Sequence, residues 1–150
     1  MLTSGKDKLR VLIVEDEFLL ADEIEYALRQ LGHDVVGIAA SSQQALALAE
    51  KTRPDLAFID IHLRDGPTGV AVARRLADVI GTRCVFVSSS LERIPEDYAG
   101  AVGHIGKPYS EGGLTSAISY IGDAMDGPPP RRAKPSSLVL SPRFALKWAA

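Results

Sequence analysis

Five short apolar runs, separated by segments of helical period, constrain this chain more than any other feature in it. They are RVLIV at 10–14, DVVGIAA at 34–40, LAFI at 56–59, CVFV at 84–87 and AVGHI at 101–105. Their apolar residues are continuous rather than alternating, so both faces of each strand need cover. Between the first two runs Leu20, Ile24, Leu28 and Leu31 recur at three- and four-residue steps, with Asp22, Glu23, Glu25 and Arg29 off that face and Gly32 as a stop. Ser41 and Ser42 are candidate caps for a second helix. Val70, Ala73, Leu76 and Ile80 mark a third, and Leu114, Ala117, Ile118, Ile121 and Met125 mark the last. The segment after the fourth run, SSSLERIPEDYAGA, has a weak apolar period and contains Pro95, which predicts a short or distorted helix. Strand and helix in this alternation predict an α/β domain, doubly wound about a five-stranded parallel sheet and covering residues 8–125.

In such a sheet a site forms outside the carboxyl ends of the strands, where the strand order reverses. The residues that end the strands therefore matter most. The first run leads into Glu15, Asp16 and Glu17, the third into Asp60, the fourth into Ser88, Ser89 and Ser90, and the fifth is followed by Lys107-Pro108. Crowded carboxylates repel and raise each other's pKa unless a cation neutralises them. A hard divalent ion such as Mg²⁺ takes oxygen ligands of this kind. A carboxylate beside it is also a nucleophile toward phosphorus. Asp60 would attack, Lys107 would pair with one phosphoryl oxygen, and a serine of the SSS run would donate to another.

On LIVEDE, PDLAFIDIHLRDGPTGVAVARRL, VFVSSS and GKPY, in that order, the chain resembles the receiver domain of bacterial two-component response regulators, over roughly residues 8 to 125. The resemblance implies a flavodoxin-like sheet of order 2-1-3-4-5. It implies Glu15 and Asp16 as the acidic pair, Asp60 as phosphoacceptor, Lys107 as the phosphate lysine, and Ser88 as the switch hydroxyl, with Ser89 as the alternative one residue on. The backbone carbonyl of His62 would complete the Mg²⁺ site, and the Lys107-Pro108 peptide would be cis. The phosphoryl donor would be a histidine kinase or a histidine phosphotransfer protein. The protein would be no enzyme beyond its own phosphorylation and slow dephosphorylation, and its output would be altered binding of a downstream protein.

Two departures stand out. His104 occupies the position of the switch aromatic, three residues before the lysine, and is either that switch or a plain strand residue packed beside the fourth helix. The stretch from Ser88 to Lys107 is short for the family, and the loop IHLRDGPTG after Asp60 is long. The His62 side chain invites a metal-ligand reading, but a set of carboxylates favours a hard ion and leaves that imidazole as a loop residue.

Charge is distributed unevenly. All 19 acidic residues precede residue 127, whereas residues 127–150 carry Arg131, Arg132, Lys134, Arg143 and Lys147 with no acid. This tail, 126–150, opens as a Pro-rich linker and turns apolar at Leu138-Val139-Leu140. SPRFALKWAA then predicts a short helix capped by Ser141, with Pro142 at its first position. Leu138, Leu140, Phe144 and Trp148 are expected to dock on an apolar surface of the same chain, of a second copy in a homodimer, or of a partner. The tail is too short to be an output domain, and without a reading motif or a basic footprint at pI 5.9 nucleic acid is not expected.

No membrane span or leader is read from the sequence, which predicts a cytoplasmic protein. The lone Cys84, within CVFV, reads as a core residue. An aspartyl-nucleophile phosphohydrolase is disfavoured because His62 stands where that chemistry places a second acid. A dinucleotide-binding domain is disfavoured because no GxGxxG follows the first strand. The competing reading is an adaptor or dimerisation module that works through its tail regardless of phosphate.

Overall fold

The computed structural model describes residues 8–148; the first seven residues, read as carrying no leader, and the last two alanines of the expected tail helix lie outside it. The strands are β1 (Arg10–Val14), β2 (Asp34–Ala39), β3 (Leu56–Ile59), β4 (Arg83–Ser88), β5 (Gly103–Gly106) and β6 (Val139–Leu140). The helices are α1 (Phe18–Gln30), α2 (Ser42–Thr52), α3 (Gly69–Arg75), α4 (Glu111–Asp126) and α5 (Pro142–Trp148). The sheet order is β2-β1-β3-β4-β5-β6, with the first five strands parallel as expected and β6 antiparallel to β5. Order reverses at β1, between β2 and β3, and the ends of β1 and β3 open there.

Side chains leave successive strand residues on opposite faces, so continuous apolar strands feed two cores. Val11, Ile13, Phe58, Val85 and Val87 face α1 and α4. Leu12, Val14, Ala57, Ile59, Cys84 and Phe86 face α2 and α3. α1 buries Ala21, Ile24, Ala27 and Leu28, a stripe shifted slightly from the expected one, since Leu31 falls at the C-cap and is exposed. Gly32, at φ 88°, ends the helix while His33 N–H donates to the Leu28 carbonyl (3.0 Å). Ser41 and Ser110 cap α2 and α4 by accepting the backbone N–H of Gln44 (3.2 Å) and Gly113 (2.9 Å). α3 relaxes into a π turn over Leu76–Ile80 that Gly81 closes.

No α-helix joins β4 to β5. The expected short or distorted helix is instead two 3-10 turns, Leu91–Arg93 and Tyr98–Gly100, on either side of Pro95. Pro95 removes a backbone donor, and Asp97 then fixes the second turn: its carboxylate accepts the Ala99 N–H (3.0 Å) and pairs with Arg74 of α3 (3.0 Å). Tyr98 and Ala99 are held at positive φ, and Ala99 plugs the core beneath.

The tail folds onto its own chain. β6 lies along β5 with Gly103 opposite Leu140 and His104 opposite Val139, and Ser141 N–H donates to the Val102 carbonyl (2.8 Å). α5 then presents Phe144 and Trp148, one turn apart, to the core beside Tyr120 of α4. Leu138 is fully buried and Leu140 packs against the same core. Ser141 caps α5 as expected, accepting the Phe144 N–H (3.3 Å). The linker is fastened along α4 by Arg131 on Asp123 (3.1 Å) and by Ser137 Oγ donating to the Gly113 carbonyl (2.7 Å). Of the three surfaces the sequence left open for the tail, the one occupied here is in cis, so the apolar tail no longer supplies a reason for pairing copies. Among the described residues no helix is long and apolar enough to cross a membrane.

Candidate functional site

β1 ends in Val14, and the chain turns outward at once, which leaves Glu15 buried and Asp16 exposed above the sheet. Asp60 follows β3 directly and stays in register because its N–H donates to the Val14 carbonyl (2.8 Å). The acids therefore meet where the strand order reverses. Ligand oxygens of Glu15, Asp16 and Asp60 all lie within 4.8 Å of one another. Lys107 enters from the end of β5, with its N–H on the Ser88 carbonyl (3.1 Å) and a cis peptide to Pro108. Its Nζ donates to Glu15 Oε1 and to Asp60 Oδ2, both at 2.9 Å.

This arrangement leaves one ammonium among three carboxylates. Burial pushes the Glu15 carboxyl up to about 7, even though Lys107 and the Glu17 N–H (3.1 Å) both favour its anion. Burial alone would pull the Lys107 ammonium down, but its hydrogen bonds to Glu15 and Asp60 outweigh that and hold it above its ordinary value. The site is short of positive charge. An all-oxygen set of this kind fits a hard divalent cation, and Glu15, Asp16 and Asp60 are the residues that would hold Mg²⁺.

Of the remaining expected residues, Ser88 and His62 lie at or just past the ends of β4 and β3, whereas His104 lies back within β5. Ser88, the last residue of β4, is buried, and its hydroxyl accepts the Ser90 N–H (3.1 Å), whereas Ser89 is exposed beside Lys107 and Pro108. His62 sits two residues after Asp60, and its exposed ring contacts Ser90 Oγ through Nδ1 (3.1 Å), linking the loops after β3 and β4. His104 is half-buried in β5. Its ring stacks on Tyr98 (centroids 5.9 Å apart) and its Nδ1 meets the Tyr98 hydroxyl (3.0 Å), so its neighbour is a 3-10 turn rather than a fourth helix. Burial holds the His104 imidazole below its ordinary pKa.

Some residues near the site were not read from the sequence. Gly69 N–H donates to the Ile61 carbonyl (2.9 Å), and a Cβ at Gly69 would lie 2.0 Å from the Asp60 carbonyl oxygen. Only glycine lets α3 begin so close to the Asp60 backbone. Asp65 ties the long loop down by accepting from Thr68 Oγ1 (2.8 Å) and the Ser42 N–H (3.1 Å). Tyr109, after the Lys-Pro pair, donates its hydroxyl to Glu23 of α1 (3.2 Å). The glycine in DGPTG was the available signal for the first of these contacts; the others are long-range and leave no local pattern.

Comparison with known proteins agrees with this geometry. The family model for the response regulator receiver domain matches residues 11–119. The transcriptional regulatory protein PdtaR of Mycobacterium tuberculosis is 34% identical over 113 residues, covering 73% of this chain and 54% of PdtaR. The phyllosphere-induced regulator PhyR of Methylorubrum extorquens is 32% identical over 111 residues, covering 73% of this chain and 42% of PhyR. The chain thus spans about half the length of these curated relatives. Among solved structures, the receiver domain of Erythrobacter litoralis PhyR superposes with a TM-score of 0.71 at 28% identity, covering 86% of this chain and 100% of that domain. The signal receiver domain of a modulated diguanylate cyclase from Desulfovibrio desulfuricans gives 0.67 at 32% identity, covering 80% and 94%.

Proposed function

Because the chain belongs to the response regulator receiver domain family, we propose that it accepts a phosphoryl group on Asp60 and changes its binding to a partner protein in consequence. The observation that carries this reading is the placement of Lys107 Nζ, 2.9 Å from both Asp60 and Glu15, with Asp16 in the same cluster. An oxygen of Asp60 attacks phosphorus in line. The P–O bond forms as the P–N bond to a donor phosphohistidine breaks, and the electron pair returns to the imidazole, which takes up a proton. Lys107 follows the developing charge from carboxylate to phosphoryl oxygen, and Ser88 is the hydroxyl that turns toward it. Bound Mg²⁺ supplies the remaining neutralisation of the phosphoryl oxygens.

The donor is a histidine kinase or histidine phosphotransfer protein. Phe18 and Leu19, exposed at the start of α1 just beyond the acidic cluster, offer such a partner an apolar foothold. Intact mass after incubation with acetyl phosphate and Mg²⁺ tests the proposal. One phosphoryl adduct is expected on the wild type, with none on Asp60→Asn and none in EDTA. Absence of an adduct with acetyl phosphate and with a panel of phosphohistidine donors would overturn it.

A second reading has specific support. The 3-10 turns in place of a helix after β4, the His104–Tyr98 contact and the β6 strand over β5 all alter the side of the sheet that follows the phosphate lysine. An adaptor that binds its partner regardless of phosphate fits those features. Equal partner affinity of wild type and Asp60→Asn, with and without acetyl phosphate, is its signature.

A further inference from the structure

The tail's basic residues are not used alike. Arg131 and Arg132 sit on Asp123, and Lys134 Nζ donates to the Leu138 carbonyl (2.7 Å). Arg143 and Lys147 do neither. Together with Arg83, at the start of β4, they converge on the ring of Phe144, with charged groups 5.4 Å (Arg83), 5.7 Å (Arg143) and 5.5 Å (Lys147) from its centroid. No carboxylate pairs with any of the three among the described residues. The aromatic quadrupole offsets part of their mutual repulsion but adds no negative charge. The result is a concentrated positive patch on an otherwise acidic chain, near the amino end of β4, away from the strand ends that carry the phosphoacceptor site.

The helix gives the patch its shape. Phe144 and Trp148 occupy the buried face of α5, and the outward face is Arg143, Leu146 and Lys147, at the i, i+3, i+4 spacing that places side chains side by side. Leu146 is 79% exposed. An exposed apolar side chain thus shares a helix face with two cations that no carboxylate pairs among the described residues.

We propose that this face, Arg143, Leu146 and Lys147 with Arg83 beside them, docks an acidic segment of a partner protein, one in which carboxylates flank an apolar residue. Charge complementarity selects the carboxylates, and Leu146 selects a polypeptide over the other anionic macromolecules. A nucleic-acid backbone offers no apolar group to cover Leu146. A membrane surface would need an apolar helix face, and that of α5 is already spent on the core. Opposite charge also hastens encounter, which makes the complex sensitive to salt. The site does not depend on the phosphoacceptor reading.

The test is fluorescence anisotropy on the full chain, with a labelled synthetic peptide in which glutamates flank a pair of leucines. Binding that weakens as salt rises is expected. Arg143→Glu with Lys147→Glu should weaken it by about tenfold or more, and Leu146→Ser should weaken it without changing the salt dependence. All three side chains are exposed, and emission of the single Trp148 checks that α5 stays docked in each variant. Asp60→Asn should bind as the wild type does, which separates this site from phosphorylation. No peptide binding at low ionic strength, equal binding by the charge-reversed variant, or binding of duplex DNA or phosphatidylglycerol vesicles in place of the peptide would overturn the proposal.

Discussion

Gly103→Ala should unseat the tail while sparing the five parallel strands. A Cβ at Gly103 would lie 2.1 Å from the Val139 carbonyl oxygen and 3.0 Å from Leu140 Cα, where ordinary contact needs about 3.4 Å. One of the two strands must move. β5 is held to β4 from Val85↔Gly103 through Ser88↔Gly106, whereas β6 is held only at Gly103↔Leu140 and His104↔Val139. β6 therefore yields. Strain from an inserted methyl in a packed site costs about 1–3 kcal/mol. Losing a bond such as Ser141 N–H to the Val102 carbonyl adds about 0.5–1.5 kcal/mol. The sum, about 1.5–4.5 kcal/mol, corresponds to a fall in Tm of roughly 3–18 °C for a chain of this size. Thermal melting followed by tryptophan emission reads both parts, since Trp148 is the single tryptophan and is buried against Tyr120 and Phe144. The red shift of emission should precede loss of helical circular dichroism. Gly106→Ala is the control in the same strand: its new methyl meets nothing nearer than Leu91 Cδ1 at 3.7 Å. If Gly103→Ala melts with Gly106→Ala and keeps blue emission, the tail is not held as described.

Gly69→Ala should damage the acidic cluster from behind, since its methyl would fall 2.0 Å from the Asp60 carbonyl oxygen and 2.7 Å from Ile61 Cα. Adduct formation with acetyl phosphate is expected to drop about tenfold or more, while Gly112→Ala, with nothing within 4 Å, leaves it unchanged; equal rates in all three proteins would refute the assignment. Cys84 is fully buried and its thiol is pushed up to about 12 by burial, so iodoacetamide at pH 8 should label it only in denaturant, and rapid labelling of the folded chain would contradict the packing of β4. Burial also depresses His33, whose Nδ1 accepts the Leu9 N–H (3.0 Å), and His104. A depressed folded pKa means that the unfolded chain binds protons first. Each histidine's contribution to stability is thus present above the ordinary imidazole value of 6.5 and is lost as pH falls through the lower folded value. Imidazole NMR titration should give both midpoints below 6.5, and a midpoint at or above that value would show that the ring is not desolvated as the structure has it.

The parts of the structure that were legible in the sequence are those where a local pattern and a site residue coincide. LAFI runs straight into Asp60, and RVLIV into Glu15 and Asp16, so the ends of β1 and β3 could be placed to the residue and with them the acidic cluster. β6 left no such trace. Val139 and Leu140 are only two residues, and their strand conformation is conferred by the edge of β5, a long-range pairing with no local signature. Gly103 carried the missing signal: a glycine inside AVGHI looks like a weakness in a strand, yet it marks the close approach of another backbone. Residues 89–102 were legible only in the negative. Pro95 excluded a regular helix, but the turns that replaced it depend on Asp97 reaching Arg74 on another element.

These two poorly legible regions meet on one strand, and that has a mechanical consequence. In a five-stranded sheet of this order β5 would be a free edge, able to slide or twist when the group at its end changes partner. Here Lys107 leaves the end of β5, Gly103 and His104 are laddered to β6, and the His104 ring is held by Tyr98 from the second 3-10 turn. A displacement of β5 at Lys107 therefore breaks either the two-residue ladder to β6 or the Tyr98–His104 contact. The ladder carries α5 with it, and α5 carries the exposed Arg143, Leu146 and Lys147. Tyr98→Ala removes both the ring stack and the hydroxyl contact, one of the two restraints, without touching the acidic cluster. If phosphorylation acts on the tail through β5, that variant should enlarge the phosphate-dependent change in Trp148 emission; an unchanged response would place the restraint in the β6 ladder alone.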